Sequence, residues 1–105
     1  MSPAGGNGPT FRISHSRAVG QAFRRLFLRA LLEGRGPAVR AAYEALHEAL
    51  RLRARDAGEP RNELRVMRLQ LRVAAVAPLV VEYAVHHALP LVFLRRFHLM
   101  AGPGD

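Results

Sequence analysis

Two segments in the first half of the chain repeat apolar residues at the spacing of an amphipathic helix. Between Ser16 and Glu33, apolar side chains recur every three or four positions, and the Gly34–Gly36 pair follows. Serine is a favoured N-cap and glycine a favoured helix stop, while proline suits a first helical turn. The pattern therefore predicts helices over residues 16–33 and 37–57, joined as an antiparallel hairpin. The face of the second helix consists of Val39, Tyr43, Leu46, Leu50 and Ala54.

The next segment, residues 62–77, fits two structures. Apolar and polar residues alternate between Leu64 and Val73, which is the period of a strand. Four arginines are instead spaced by four, three and four positions, and on a helix they would lie within about 60° of arc. This spacing favours a third helix over 62–77 that ends before Pro78, with a strand as the alternative. The four arginines are Arg61, Arg65, Arg68 and Arg72.

The remaining residues contain two short apolar segments that Pro90 separates, and each has the length of two to three helical turns. They predict helices over 79–89 and 91–99. The expected fold is all-α: an antiparallel three-helix core with a proline-broken apolar C-terminal helical segment, forming one domain over 14–100. Residues 1–13 are expected to be a disordered lead and 101–105 a frayed tail, because both are rich in glycine and proline.

An apolar run of 22 residues, from Val73 to Leu94, needs cover from a partner, a membrane or the chain's own core. Its length matches the roughly 20 residues of a membrane span, but Glu82, two histidines and two prolines offset the gain. We expect it to pack on another subunit or to contact a membrane. The residues predicted to dock are Leu79, Val80, Val81, Leu91 and Phe93.

The charge of the chain is strongly basic, with 16 arginines, no lysine, eight acidic residues and a net charge of +8. Such a chain is expected to bind an acidic protein, nucleic acid or anionic lipid, and guanidinium groups bind carboxylate or phosphate through paired hydrogen bonds. A row of arginines that is merely solvated is the alternative. The predicted partner-binding residues are Arg24, Arg25 and Arg29, together with Arg61, Arg65, Arg68 and Arg72.

Few residues suggest chemistry. The chain has no cysteine, which excludes disulfides, thiolate metal sites and cysteine catalysis. Glu82 and His86 would share a helix face and are weak candidates for a metal site, but no second half-site accompanies them. Because no nucleophile or glycine-rich anion loop is present either, we predict neither catalysis nor a cofactor.

The stretch from Phe11 to Leu32 contains arginines and serines but no acidic residue. This composition is typical of a mitochondrial transit segment, and a basic surface helix is the alternative interpretation.

The sequences SHSRAVGQAFRRLFLRALLEG and RAAYEALHEALRLR, within residues 14–55, resemble the start of LYR-motif proteins. Leu26-Phe27-Leu28 stands where that family has Leu-Tyr-Arg, and Arg25 and Arg29 flank it. The resemblance implies a small basic three-helix protein of mitochondria that serves a respiratory complex, and several members of that family bind acyl carrier protein. It leads us to expect a non-catalytic accessory subunit or assembly factor, associated with the inner membrane. An RNA-binding protein of a ribonucleoprotein, such as a mitochondrial ribosome, is the alternative.

Overall fold

The computed structural model describes residues 10–101, in which two helices pack against one five-stranded sheet. Residues 1–9 of the predicted lead and residues 102–105 of the predicted tail lie outside the described residues. The described part of the chain starts with a strand, continues with both helices and finishes with four strands. In chain order the elements are β1 (Arg12–His15), α1 (Arg17–Leu32), α2 (Gly36–Arg53), β2 (Glu59–Leu64), β3 (Leu69–Val76), β4 (Leu79–His86) and β5 (Leu91–Leu99).

The strand order across the sheet is β1-β5-β4-β3-β2. Strands β2 to β5 form an antiparallel meander, whereas β1 pairs in parallel with the first half of β5. The β3–β4 connection consists of Ala77 and Pro78, which are joined by a cis peptide bond. Pro78 therefore belongs to a hairpin turn, and Pro90 belongs to the β4–β5 turn.

Both predicted helices are present, although α2 ends at Arg53 and not at the predicted residue 57. The residues that predicted the start of α1 and the connection between the helices have the expected roles. The Ser16 side chain accepts a hydrogen bond from the Val19 backbone N–H at 3.2 Å, as an N-cap should. Gly34 has a φ of +75° in the short connection between the helices, and Pro37 lies in the first turn of α2.

The core lies between the two helices and one face of the sheet. Alternate residues of β4, from Leu79 through Val81 and Tyr83 to Val85, are buried against the helical hairpin. The apolar face predicted for α2 supplies the opposite wall, with Val39, Leu46 and Leu50 fully or almost fully buried. The helices thus cover one side of the sheet.

The all-α prediction is wrong, and so is the helix over 62–77. The segment forms β2, a turn and β3, and its apolar-polar alternation was the correct signal. Arg61 lies in β2, Arg65 and Arg68 lie in the turn, and Arg72 lies in β3, so their helical spacing is coincidental. Each residue of β3, from Leu69 to Val76, is paired with a residue of β4.

The helices predicted over 79–89 and 91–99 are the strands β4 and β5. They are eight and nine residues long, follow Pro78 and Pro90, and are rich in valine, leucine and aromatic residues, which is the length and composition of strands. Arg12 and Ile13, placed in the disordered lead, belong to β1, which is too short to give a periodic signal. Among residues 10–101, no helix is long and apolar enough to span a membrane.

A polar network joins the end of α2 to the sheet. The Arg72 guanidinium donates hydrogen bonds to the carbonyl oxygens of Ala57 and Gly58, at 3.0 and 3.1 Å, and to Gln70 Oε1 at 2.7 Å. The Tyr83 hydroxyl donates to the carbonyl oxygen of Ala57 at 2.6 Å. Burial raises the pKa of Tyr83, so the hydroxyl keeps its proton and remains a donor.

Candidate functional site

The second face of the sheet carries exposed arginines and apolar side chains. Directly paired residues on neighbouring strands point to the same side, so the register identifies this face. Val73 of β3 pairs with Glu82 of β4, which pairs with Arg96 of β5, and all three point away from the helices. We call this surface the open sheet face; it includes Arg12, Arg61, Leu71, Val73, Val80, Glu82, Leu91, Phe93, Arg95, Arg96 and His98.

Two β-bulges place arginines on the open sheet face. In β5, Leu94 and Arg96 are paired with consecutive residues of β4, so Arg95 is an extra residue between them. In β2, Arg61 is likewise an extra residue between the paired Pro60 and Asn62. Such an insertion re-aims a side chain while the pairing on either side continues. Arg61 and Arg95 line the same shallow cleft, of about 80 Å³.

Glu82 is the carboxylate in that cleft. One of its oxygens, Oε2, lies 2.9 Å from His98 Nε2, so a histidine from the neighbouring strand holds it. Arg96 stands opposite Glu82 in the register, and Arg61 and Arg95 line the cleft around it. One carboxylate is therefore surrounded by three arginines, and the local charge is positive.

In the described part of the chain, the arginines of this face form no salt bridge. The salt bridges formed within residues 10–101 involve Glu33, Glu48, Glu63 and Glu82, and none of them engages Arg12, Arg61, Arg95 or Arg96. All four arginines are exposed. Like charges held close together repel each other unless an anion neutralises them, so the face is suited to a polyanion.

Apolar side chains lie among these charges. Phe93 is 37% exposed, and Leu71 and Val73 are half-buried. They form a small apolar strip across β3 and β5 that no helix covers. A planar or hydrophobic group of a ligand can pack on this strip while the guanidinium groups bind its charges.

The structure distributes the predicted partner-binding arginines over several surfaces. Arg24, Arg25 and Arg29 are exposed on α1, and Arg65 and Arg68 are exposed in the β2–β3 turn. Arg61 is the member of the predicted row that reaches the open sheet face. Arg72 is only 7% exposed and is engaged in the network at the end of α2.

The predicted apolar docking residues divide between the two sides of the sheet. Leu79 and Val81 are buried in the chain's own core, at 0% and 1% exposure. Val80 and Leu91 are half-buried, and Phe93 is exposed, all on the side away from the helices. The core thus covers part of the apolar run, and the open sheet face presents the rest.

Glu82 and His86 do not form a metal site. On a strand, residues four apart are separated by about 13 Å along the chain direction, because each residue advances about 3.3 Å. Glu82 is engaged with His98, and His86 Nδ1 accepts hydrogen bonds from the backbone N–H groups of Ala88 and Leu89. Within residues 10–101, no group of three potential ligands converges.

Sequence reasoning missed Arg12, Arg95, Arg96 and His98. The available signal was Arg95-Arg96 inside an otherwise apolar segment, since two adjacent charges break the alternation of a strand and indicate a bulge. That signal is readable only if the segment is recognised as a strand.

Comparison with protein-family models, with curated proteins and with solved structures gives no match to this chain. The resemblance to LYR-motif proteins therefore stays a prediction. The first two helices that it implies are present, whereas strands replace the third.

Proposed function

We propose that this protein binds RNA through the open sheet face. The observation that carries the proposal is a set of four exposed arginines that form no salt bridge within residues 10–101. They are Arg12, Arg61, Arg95 and Arg96, and they lie around an exposed apolar strip on the side of the sheet away from the helices. A charge of +8 over 105 residues adds a long-range attraction for a polyanion.

The two components of the face suit the two components of RNA. Guanidinium groups bind phosphate oxygens through paired, charge-assisted hydrogen bonds. Leu71, Val73 and Phe93 offer an apolar surface on which a ribose or an unstacked base can lie. Because one phenyl ring is a small stacking platform, phosphate contacts dominate the expected affinity, and recognition follows RNA shape more than sequence.

The test is the salt dependence of binding to a fluorescently labelled RNA hairpin, measured by anisotropy. If the four arginines each neutralise one phosphate, the slope of log K against log salt is about −3 to −4, and affinity falls about 100-fold between 50 and 200 mM salt. The site variant changes Arg61, Arg95 and Arg96 to Gln. It should reduce the steepness of the slope by about one per arginine removed.

The matched control changes Arg24, Arg25 and Arg29 of α1 to Gln, which alters the net charge by the same amount. We expect its affinity to stay much closer to that of the unmodified chain than the site variant does. Equal losses in the two variants would show that net charge alone attracts RNA and would refute the assignment of the face. Absence of binding at 50 mM salt would refute the proposed function itself.

We also propose an acidic protein partner for α1, on a separate observation. Leu28 and Leu32 are exposed, at 54% and 89%, beside Arg25 and Arg29. An apolar and basic helix surface matches an acidic amphipathic helix, such as those of acyl carrier protein. Titration with acyl carrier protein should shift the α1 amide signals in NMR spectra, and unchanged spectra would remove this candidate. A mitochondrial location stays a prediction that imaging of a C-terminally tagged chain can check.

A further inference from the structure

A cavity of about 330 Å³ lies on the helix side of the sheet, between the two helices and β5. Its walls are largely aromatic. The Phe23 ring lies 4.9 Å from the Tyr43 ring and 4.7 Å from the Phe97 ring, measured between centroids, and Phe27 extends the cluster along α1. The cavity is open to solvent on one side. Its volume is at the lower end of the range for small-molecule sites.

The mouth of the cavity carries basic groups. Arg24 of α1 and His15 at the end of β1 line it. His15 Nδ1 lies 2.9 Å from the carbonyl oxygen of Ser16 and donates to it, which orients the ring. Gly20 gives this ring its space, since a Cβ atom there would lie 3.1 Å from His15 Cε1.

Charge around the mouth is positive. Among residues 10–101, Arg24 forms no salt bridge, and no acidic side chain lines the cavity. One guanidinium and one imidazole at the rim of an aromatic cavity match a ligand that has an apolar ring and a single negative charge.

We propose that this cavity binds a small aromatic carboxylate, with its ring against the wall of Phe23, Tyr43 and Phe97 and its carboxylate at Arg24. Burying the ring removes apolar surface of both ligand and cavity from water. A carboxylate matches the charge of one arginine, whereas a phosphate dianion would need further donors. The inference is independent of RNA binding, because the cavity and the open sheet face are on opposite sides of the sheet.

The probes are 3-phenylpropionate, its neutral amide 3-phenylpropanamide and the cation 3-phenylpropylamine, titrated into the full ¹⁵N-labelled chain at fixed pH and salt. The carboxylate should bind about tenfold or more tightly than the amide, since hydrogen bonds to charged groups are worth about 1.5–3 kcal/mol. The amine should bind most weakly. Backbone signals of Gly20, Phe23 and Tyr43 should move, while those of the open sheet face stay in place.

Variants test the role of each part of the cavity. Arg24→Gln should abolish the preference for the carboxylate over the amide. Arg25→Gln is the matched control, because Arg25 lines a different side of α1 with Arg29, and it should keep the preference. Val19→Trp should weaken binding of all three probes by filling the cavity.

Equal binding of acid and amide to the unmodified chain would overturn the proposal, and so would signal changes confined to the open sheet face. Tighter binding of phenyl phosphate than of 3-phenylpropionate would overturn the assignment of a singly charged ligand. Addition of RNA should leave the affinity for 3-phenylpropionate unchanged, so failure of either proposal is distinguishable from failure of the other.

Discussion

Replacement of Arg72 by Ala should lower the stability of the fold and should not weaken a binding surface. The guanidinium is buried and makes three hydrogen bonds, to the carbonyl oxygens of Ala57 and Gly58 and to Gln70. Hydrogen bonds to a charged group contribute about 1.5–3 kcal/mol each, and bonds that share one group are not additive. We therefore expect the free energy of unfolding to fall by about 3 kcal/mol.

The measurement is urea unfolding at 25 °C, followed by far-ultraviolet circular dichroism. With a denaturant slope of about 1–2 kcal/mol/M for a small domain, the midpoint should fall by about 1.5–3 M. Arg65→Ala in the exposed β2–β3 turn is the matched control, and it should change the midpoint by less than about 0.5 M. Arg72→Lys keeps the charge but lacks the planar fork, so its loss should be intermediate.

An Arg72→Ala protein that keeps its midpoint within about 0.3 M would contradict this reasoning, because the network would then contribute nothing measurable. A loss of RNA affinity without a loss of stability would contradict it as well. In that case the four-arginine row would be a binding surface, as its helical spacing had predicted.

Four further predictions concern single positions. Arg68→Gly should stabilise the fold by up to about 1 kcal/mol, because Arg68 has a φ of +57°; thermal unfolding measures this, and a lower Tm would contradict it. Tyr83→Phe should lower the free energy of unfolding in urea by about 1–3 kcal/mol, because carbonyl oxygens at the end of α2 lose their hydrogen-bond donor. An unchanged midpoint would show that water replaces the hydroxyl. Deletion of Arg95 should restore the regular alternation of side chains in β5 and leave the circular dichroism spectrum unchanged. It should also reduce the steepness of the salt dependence of RNA binding by about one. An unfolded product would show that the core needs the bulge. Acid should weaken the fold through Glu63, whose pKa is lowered chiefly by the hydrogen bond from Gln70. The contribution of Glu63 to stability is present above the ordinary pKa of about 4.5 and disappears as the pH falls through the lower folded-state pKa. Glu63→Gln should therefore flatten the pH dependence of Tm below pH 5.

The helical half of the fold was predictable because its signals agree with one another. In α1 and α2 the apolar period, the Ser16 N-cap, the glycine pair and Pro37 all indicate the same boundaries. The buried face of α2 was named residue by residue, since one side of that helix packs against the sheet.

The strands were missed because two periods compete in the segment after Pro60. Its arginine spacing matches a helix, while its apolar residues alternate as in a strand. Arg61, Arg65 and Arg68 are exposed at a bulge and in a turn, so packing does not constrain their spacing, and only Arg72 is buried. The apolar residues of β3 pair with β4 and are constrained. Where the spacing of the charges and the spacing of the apolar residues disagree, the buried apolar residues indicate the fold.

The two β-bulges explain why the open sheet face could not be predicted from the sequence, and they also support its assignment as a binding site. A bulge costs a regular pair of ladder hydrogen bonds and adds nothing to the core, and both bulged residues, Arg61 and Arg95, are arginines. Removing Arg95 from β5 would leave Leu94 and Phe97 on the helix side with one residue between them, as an ordinary strand requires. The core therefore does not demand this residue. Its effect is to add a second exposed guanidinium beside Arg96, next to Glu82 and across the cleft from Arg61. An irregularity that concentrates positive charge without serving the packing is better explained by an anionic ligand than by stability.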